Sequence, residues 1–400
     1  MAYISLREED LPGIGSVEGQ NLTTRLREHD RSFDALAAGT FAPTAVTTAA
    51  LAAGETVLLT PASDAGVINL TASGVAFLCS LAAGTGRKTL VNTSAYTITL
   101  GHEEGASYGG AVATNCFNCP DAIPYVLRPG ARVDVVYGTY NSAAAARWNV
   151  IGVNSFAPGG RLCPATIEEF VERTAFAPTN LWPCDDMGPP PAAGSVLREA
   201  TNETLAVSST PLVDFRQGGY RGVRVTEGGK GWKSDVSDPE ELSIVIGAFY
   251  GHGALASDNV VAGRVDTTAA ARRAYVGTVQ ATGKPGAYFV GAAGAVVALS
   301  PNKVVTDSVV RLVQAQLDKD TDLARCRVSG RGETAVQSAD GDAAAITTIS
   351  GGATPVNFVG ATGLTGSTAE TFVGGVFQIY GAGAEGTKVL AKIAHRLGME

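Results

Sequence analysis

The sequence predicts a mainly β protein that begins with a short helix and continues as two β-domains. Glycine supplies 49 of the 400 residues, about 12% against a usual ~7%, and long helices tolerate glycine poorly whereas turns need it. Short β-rich runs punctuated by glycine and proline follow one another from residue 41 onward, a pattern typical of β-sandwiches and barrels. At roughly 100–200 residues per domain, the length predicts two or three domains.

Residues 1–40 form the charged, helix-like segment of the sequence. Apolar or near-apolar side chains recur there with the spacing of a heptad seam, at Leu22, Leu26, His29, Phe33 and Leu36. Two heptads are too short to be stable alone, so this helix needs a surface to pack on. That surface is either other copies of the chain or the helix's own domain. We favour an oligomerising and anchoring segment, with a trimer as the expected state.

Residues 41–155 are predicted to form a small β-sandwich or barrel. Apolar and polar side chains alternate in Tyr96–Leu100 and Arg132–Tyr137, which indicates half-buried antiparallel strands. The predicted strands are Thr56–Thr60, Gly66–Leu70, Val75–Leu81, Lys88–Asn92, Tyr96–Leu100, Tyr125–Leu127, Arg132–Tyr137 and Trp148–Val153.

The second half of this domain resembles a β-domain common in bacteriophage tail-fibre and head- or neck-fibre proteins. That family has a strand pair with the motif T-I-T-L, then L-x-P-G-x-x-V-x-L-x-Y, then a closing W-x-V. The matching positions in this sequence are Asn92, Ile98, Leu100, Ser107, Pro129, Gly130, Val133, Val135, Tyr137, Trp148 and Val150. These are turn and core positions, so the resemblance implies a virion fibre and implies no chemistry.

Residues 156–180 are predicted to be a linker with one short helix. Thr166 is followed three residues later by Glu169, which is the spacing of a helix-capping box. The helix is therefore expected to start at Thr166.

Residues 181–400 resemble the concanavalin A-like, or laminin-G-like, jelly roll. Leu181–Asp186 resembles the opening motif L-W-x-x-D, Glu241–Phe249 the strand F-T-I-x-x-W/F, and Phe372–Tyr380 the last long strand before a terminal helix at Thr387–Leu397. The sequence departs from that family by lacking the His before the long strand at Val309–Leu317 and the Asp of Y-x-D-G. The resemblance therefore implies the fold and leaves open whether the family's carbohydrate or calcium site is present.

Further strands of this domain are predicted from short apolar runs, and residues 335–371 are predicted to form long loops because they are poor in bulky side chains. These further strands are Leu205–Val207, Gly222–Val225, Val260–Val265, Ala274–Val279, Ala287–Val290 and Ala324–Val328.

Aromatic side chains beside polar groups are candidates for glycan binding. In the C-terminal domain these are Tyr220, Trp232, Tyr250 and His252. The alternative is that they belong to the core, which is the commoner place for aromatic residues in a jelly roll.

Two further patterns, one of aspartates and one of cysteines, are candidates for metal or redox chemistry. Asp318, Asp320 and Asp322 alternate like the first ligands of a calcium loop. The Gly and closing Glu of an EF-hand are missing, so a solvated turn is the favoured interpretation. Cys116 and Cys119 have CxxC spacing without a second pair or a nearby His; inert thiols or a loop disulfide are favoured. No cofactor is predicted.

The charge and the apolar pattern of the sequence argue against several classes of function. The net charge of −8 argues against nucleic-acid binding, which needs a basic surface, and no apolar run predicts membrane insertion. The N-terminal residues do not resemble a signal peptide.

These observations predict a non-enzymatic fibre or spike of a virion. Its N-terminus is expected to attach to other virion proteins of the head, neck or tail, and its distal β-sandwich to bind a host polysaccharide or decorate the particle. The alternatives are a carbohydrate-active enzyme of the jelly-roll class and a cellular adhesin. Paired catalytic carboxylates at alternate strand positions, which the enzyme would need, are absent from the sequence.

Overall fold

The computed structural model describes residues 43–45, 56–60, 67–70, 75–78, 80–81, 85–94, 97–104, 113–139, 146–152, 161–184, 196–197, 205–207, 213–217, 220–225, 231–235, 241–255, 258–266, 272–291, 294–347, 355–360, 371–381 and 388–400. The predicted heptad seam from Leu22 to Leu36 lies outside these residues, so it stays a prediction. Within the described part, no helix is both long enough and apolar enough to span a membrane.

The mainly β prediction is confirmed. The described strands of the middle domain are β1 (Pro43–Ala45), β2 (Thr56–Thr60), β3 (Val67–Leu70), β4 (Val75–Leu78), β5 (Arg87–Asn92), β6 (Thr97–Leu100), β7 (Phe117–Asn118), β8 (Tyr125–Leu127), β9 (Arg132–Gly138) and β10 (Arg147–Ile151). One sheet has the order β1-β2-β5-β9-β10-β7 and the other the order β3-β4-β6-β8.

Several neighbours in the middle domain are parallel. Strand β1 pairs with β2, β2 with β5, β4 with β6 and β7 with β10 in parallel, whereas β9 pairs antiparallel with β5 and β10. Parallel neighbours need crossover connections rather than tight hairpins. The apolar faces of both sheets meet in a core that includes Leu90, Leu100, Val135 and Trp148.

The predicted linker contains helix α1 (Ile167–Thr174), which is packed rather than exposed. Its cap is the predicted one, because the Thr166 side chain accepts a hydrogen bond from the Glu169 amide at 3.1 Å. The helix touches both domains. Its Glu172 carbonyl accepts a hydrogen bond from the Thr99 hydroxyl of β6 at 2.6 Å, and the ring centroid of Phe170 lies 4.9 Å from that of Phe377 in the C-terminal domain.

The C-terminal domain is a β-sandwich with a helix on one outer face. Its described strands are β11 (Asn180–Trp182), β12 (Val196–Leu197), β13 (Leu205–Val207), β14 (Val213–Gln217), β15 (Tyr220–Val225), β16 (Gly231–Asp235), β17 (Ile244–His252), β18 (Asn259–Asp266), β19 (Arg272–Val279), β20 (Lys284–Val290), β21 (Val296–Leu299), β22 (Arg311–Asp318), β23 (Leu323–Ser329), β24 (Val336–Gln337), β25 (Gly341–Asp342), β26 (Pro355–Gly360) and β27 (Thr371–Tyr380), and its helix is α2 (Val389–Arg396).

One sheet of the sandwich runs β14-β15-β27-β17-β22-β23-β24, with β11 on β27 and β25 on β23, and the other runs β12-β13-β16-β26-β18-β19-β20-β21. Every residue of β17 is buried because both faces of its sheet are covered. One face packs against the second sheet through side chains such as Ile246 and Val313. The other packs under α2 through side chains such as Phe249, Phe377 and Ile393.

Part of the sequence prediction for this domain is wrong. Residues 335–371 are not only loops, because β26 lies between β16 and β18 inside its sheet. Strand β16 was also not predicted. Strand β16 carries Lys233 and Asp235 beside Trp232, and Asn357 interrupts the apolar residues of β26, so neither shows a continuous apolar run.

The two domains meet at a buried polar junction. Arg396, at the end of α2, pairs through Nε with the Glu104 carboxylate of the middle domain, and both side chains are 0% exposed. Arg396 Nη1 also donates to the Thr174 carbonyl of α1 at 2.6 Å, and the His395 ring hydrogen-bonds the His102 carbonyl. The arginine therefore ties together the helix of the C-terminal domain, the linker helix and the middle domain.

Candidate functional site

Two of the aromatic candidates, Tyr250 and His252, meet at the end of β17. Their rings stack with centroids 5.7 Å apart and planes 12° from parallel. Both contact the Thr278 hydroxyl on β19 of the opposite sheet, at 3.1 Å from the Tyr250 hydroxyl and 2.8 Å from His252 Nε2. The alternation of strand side chains places residues 250 and 252 on one face, which is why the sequence brings them together.

The hydrogen bonds of this cluster are satisfied within it. The Tyr250 hydroxyl donates to the Gly277 carbonyl at 2.7 Å. His252 Nδ1 lies 2.9 Å from the Gly253 carbonyl. A carbonyl only accepts, so Nδ1 carries the proton and Nε2 of the neutral ring accepts from Thr278. Burial lowers the pKa of His252, although the Gly253 hydrogen bond and the Asp307 charge oppose this. Burial also raises the pKa of Tyr250.

The exposed aromatic platform that the sequence suggested is not found at these residues. Tyr250 and His252 are each 2% exposed, and Trp232 is 1% exposed within the core between the sheets. Tyr220 is partly buried against the other core, beneath α2. A sugar stacks on an open ring face, so Trp232, Tyr250 and His252 are corrected to core residues. Trp232 and Tyr250 belong to the apolar core between the sheets, and burial of all three rings leaves no face for a ligand.

A charged loop beside the cluster was missed by sequence reasoning. Residues 300–310 connect β21 to β22, and the amide of Ser308 donates to the His252 carbonyl at 2.9 Å. The buried Arg311 side chain holds this loop through both oxygens of Asp307, at 2.6 and 2.8 Å. Arg311 also binds both oxygens of Glu333 at 2.7 Å.

The loop is held firmly while part of it faces solvent. The hydrogen bond from Arg311 lowers the pKa of Asp307 to about 2, so the pair stays charged across the physiological range. Val304 and Val309 are 52% and 44% exposed. The spacing of four between Asp307 and Arg311 was the available sequence signal, but Glu333 is 22 residues away from Arg311 and no local pattern connects them.

The alternating aspartates form a turn that is closed on itself. Asp318, which is 0% exposed, accepts hydrogen bonds from the Asp320 amide at 3.1 Å and the Thr321 hydroxyl at 2.7 Å. Asp322 pairs with Lys319. The carboxylates therefore cap the β22–β23 hairpin. Within the described parts of the chain, no group of three or more His, Cys, Asp or Glu side chains is arranged to hold a metal ion.

Cys116 and Cys119 are both buried, and neither is in a disulfide. Burial raises the pKa of Cys116 to about 11 and that of Cys119 to about 12, so both are protonated at neutral pH and poorly nucleophilic. The Cys119 amide donates to His102 Nδ1 at 3.1 Å, which places the pair beside the domain junction.

No family model matches the chain, and no curated protein does either. Several solved structures match part of the chain at low similarity. The botulinum neurotoxin serotype D binding domain is 6% identical with a TM-score of 0.36, over 50% of this chain and 48% of that one. The Trypanosoma rangeli sialidase in complex with sialic acid is 12% identical with a TM-score of 0.35, over 55% and 33%.

A carbohydrate-binding module of a Ruminococcus gnavus sialidase is 18% identical with a TM-score of 0.27, over 38% of this chain and 87% of that one. The chain spans about half the length of the neurotoxin domain that it matches. At these identities and TM-scores the likeness carries no argument about this chain, and no residue role is carried over.

Proposed function

We propose that the chain is a non-enzymatic structural protein of a bacteriophage virion, a fibre or spike. Its N-terminal segment attaches to head, neck or tail proteins, and its C-terminal sandwich faces the host surface and binds glycan. The fibre-like motif between Asn92 and Val150 supports this proposal from the sequence. The domain junction around Arg396 is the structural observation that carries it.

The junction matters because a fibre has to hold its distal domain in a fixed position. An ordinary two-domain chain has a flexible linker, whereas here the linker helix α1 is packed between the domains and Arg396 is buried against Glu104. A fixed arm on a trimer presents three copies of the sandwich together. Weak single contacts then add to strong attachment, because later contacts form at high effective concentration.

The loop of residues 300–310 is our candidate for the host-facing surface. It lies at the end of the sandwich, its position is fixed by Arg311, and it exposes Val304 and Val309 beside the charged Asp307. Loops held on a rigid scaffold commonly carry binding residues. Apolar side chains beside a charged group match the mixed apolar and hydroxyl character of a sugar ring.

Oligomeric state is the first test. Native mass spectrometry of the full chain is expected to give a trimer, and the double variant Leu26→Lys/Phe33→Lys a monomer, because lysines disrupt an apolar seam. Glu28→Lys, which lies off the seam, is the matched control and should remain trimeric. A monomeric wild-type chain would contradict the fibre proposal.

Binding to purified bacterial surface polysaccharides is the second test, with a reducing-sugar assay on the same mixtures. We expect binding without release of reducing ends. Val304→Glu should weaken binding at least ten-fold. Ile151→Glu, at a 55% exposed position of the middle domain, is the control and should bind normally. Release of reducing ends would contradict the non-enzymatic assignment.

A further inference from the structure

Arg264, on β18, is a buried arginine whose guanidinium is only partly satisfied. It is 1% exposed, its Nη1 donates to the Glu241 carbonyl at 3.0 Å, and its Cζ lies 4.2 Å from the centroid of the Tyr380 ring. Its Nε and Nη2 have no hydrogen-bond partner among the described residues. A buried cation is costly unless it is paired, so this arrangement needs an explanation.

The two unpaired donors lie on the same edge of the guanidinium and form the fork that binds a carboxylate side-on. Other buried arginines of this domain use the same pair of atoms in that way. Arg311 donates from Nε and Nη2 to the two oxygens of Glu333, both at 2.7 Å. Arg325 donates from Nε and Nη2 to Asp340 at 2.9 and 3.3 Å. Arg264 presents this fork without a carboxylate from the described chain.

The side-chain amide of Gln378 also has a buried donor without an acceptor. The Tyr380 hydroxyl lies 3.3 Å from Gln378 Oε1, which also accepts a hydrogen bond from Asn180 at 3.0 Å. Gln378 is 0% exposed, and its Nε2 has no partner in the described structure. The unsatisfied groups of Arg264 and Gln378, which both contact Tyr380, are therefore hydrogen-bond donors. They require an acceptor.

Arg264 lies near one end of the sandwich. Arg264 is two residues from the end of β18 at Asp266. Tyr380 is the last residue of β27 and is followed by the exposed Gly381. This is the end opposite to His252 and the loop of residues 300–310, so the two surfaces are separate.

From this geometry we propose that Arg264 and Gln378 form a binding site for a carboxylate group of a small ligand. The guanidinium fork takes the two oxygens, and the Tyr380 ring covers the cation. The carboxylate belongs either to a free organic acid or to an acidic sugar. The first source is independent of the proposed function, whereas the second rests on it and names acidic sugars as the class of host glycan.

Thermal unfolding of the full chain tests the site with sodium acetate and sodium glucuronate as probes. Sodium chloride at equal ionic strength and neutral glucose are the controls. A probe at about five-fold its dissociation constant stabilises the chain by about 1 kcal/mol and is expected to raise the Tm by about 1–2 °C. Arg264→Lys keeps the charge but removes the fork, and should abolish the rise.

Each outcome is decisive for the site. A rise with acetate and glucuronate alike assigns a general carboxylate site, and a clearly larger rise with glucuronate assigns an acidic sugar. No rise with either, or an equal rise with chloride, overturns the proposal. None of these results depends on trimer formation or on binding at Val304, so failure here and failure of the fibre proposal are distinguishable.

A second variant supplies the carboxylate from the chain itself. Asn357 on β26 is paired in register with Arg264 and is 0% exposed, so Asn357→Asp places a carboxylate beside the fork. The variant should have a higher Tm than the wild type and no response to acetate. Asn259→Asp, at a 1% exposed position of β18, is the matched control and should lower the Tm. A lowered Tm in Asn357→Asp would overturn the proposal.

Discussion

The imidazole of His102 lies at the domain junction, where its Nδ1 accepts a hydrogen bond from the Cys119 amide. The ring therefore has to be neutral at Nδ1. Burial, followed by the nearby charges of His395 and Arg147, lowers the pKa of His102 from 6.5 to about 3. Its sequence neighbours gave no sign of this, because the residues that bury it come from distant parts of the chain.

A pH dependence of stability follows from His102. Below pH 6.5 the unfolded chain takes up a proton that the folded chain refuses, so the contribution is complete above pH 6.5 and is lost as the pH falls toward 3. Between pH 6 and 4, we expect the unfolding free energy of the wild type to fall by up to about 1.4 kcal/mol per pH unit more than that of His102→Asn.

Urea unfolding at several pH values measures this difference. The Asn variant is chosen because its Oδ1 still accepts from the Cys119 amide without titrating. Parallel pH profiles for the two proteins would contradict the assignment. The unfolding free energies of the two proteins at pH 7.5, where His102 is neutral in both states, give the effect of the substitution itself.

At the scale of elements, the sequence predicted most strands but not their partners. The bounds of β2 and β8 match the prediction, because each is a short β-rich run bounded by turn residues. The parallel pairing of β2 with β5 and the placement of β26 inside a sheet depend on contacts between distant segments, which no local pattern records. The predicted aromatic site failed for the same reason, since alternation places Tyr250 and His252 together without indicating which face is covered.

The capped start of α1 is a prediction from sequence that the structure confirms, and it is testable in isolation. Thr166 is exposed, so Thr166→Ala removes the bond to the Glu169 amide with little change in packing. We expect a loss of about 1 kcal/mol in unfolding free energy, as for other caps. Urea titration measures it, with Thr166→Ser as the control that retains the oxygen. An unchanged Ala variant would contradict the role of the cap.

At the scale of the whole molecule, we expect the junction to make the two β-domains unfold as one cooperative unit. Arg396→Met leaves the Glu104 carboxylate buried without its partner, which costs about 3–5 kcal/mol for buried pairs. We expect calorimetry of the wild type to show one transition and that of Arg396→Met to show two, because the domains then unfold separately.

The double variant Glu104→Gln/Arg396→Met removes both charges and is the control for this interpretation. It should recover part of the lost free energy, which a double-mutant cycle converts to a coupling energy. A single transition at the wild-type temperature in Arg396→Met would show that the domains are held together by other contacts.

Arg396 and Glu104 are 292 residues apart in the chain, and this separation has a consequence for biosynthesis. At about 5–20 residues per second, the ribosome needs roughly 15–60 s to add the intervening residues. Until α2 has been made, Glu104 of the middle domain therefore lacks its partner, and the surface around it is exposed to water and to other proteins. The contact between the two domains is therefore completed only at the end of synthesis, when Arg396 has been added.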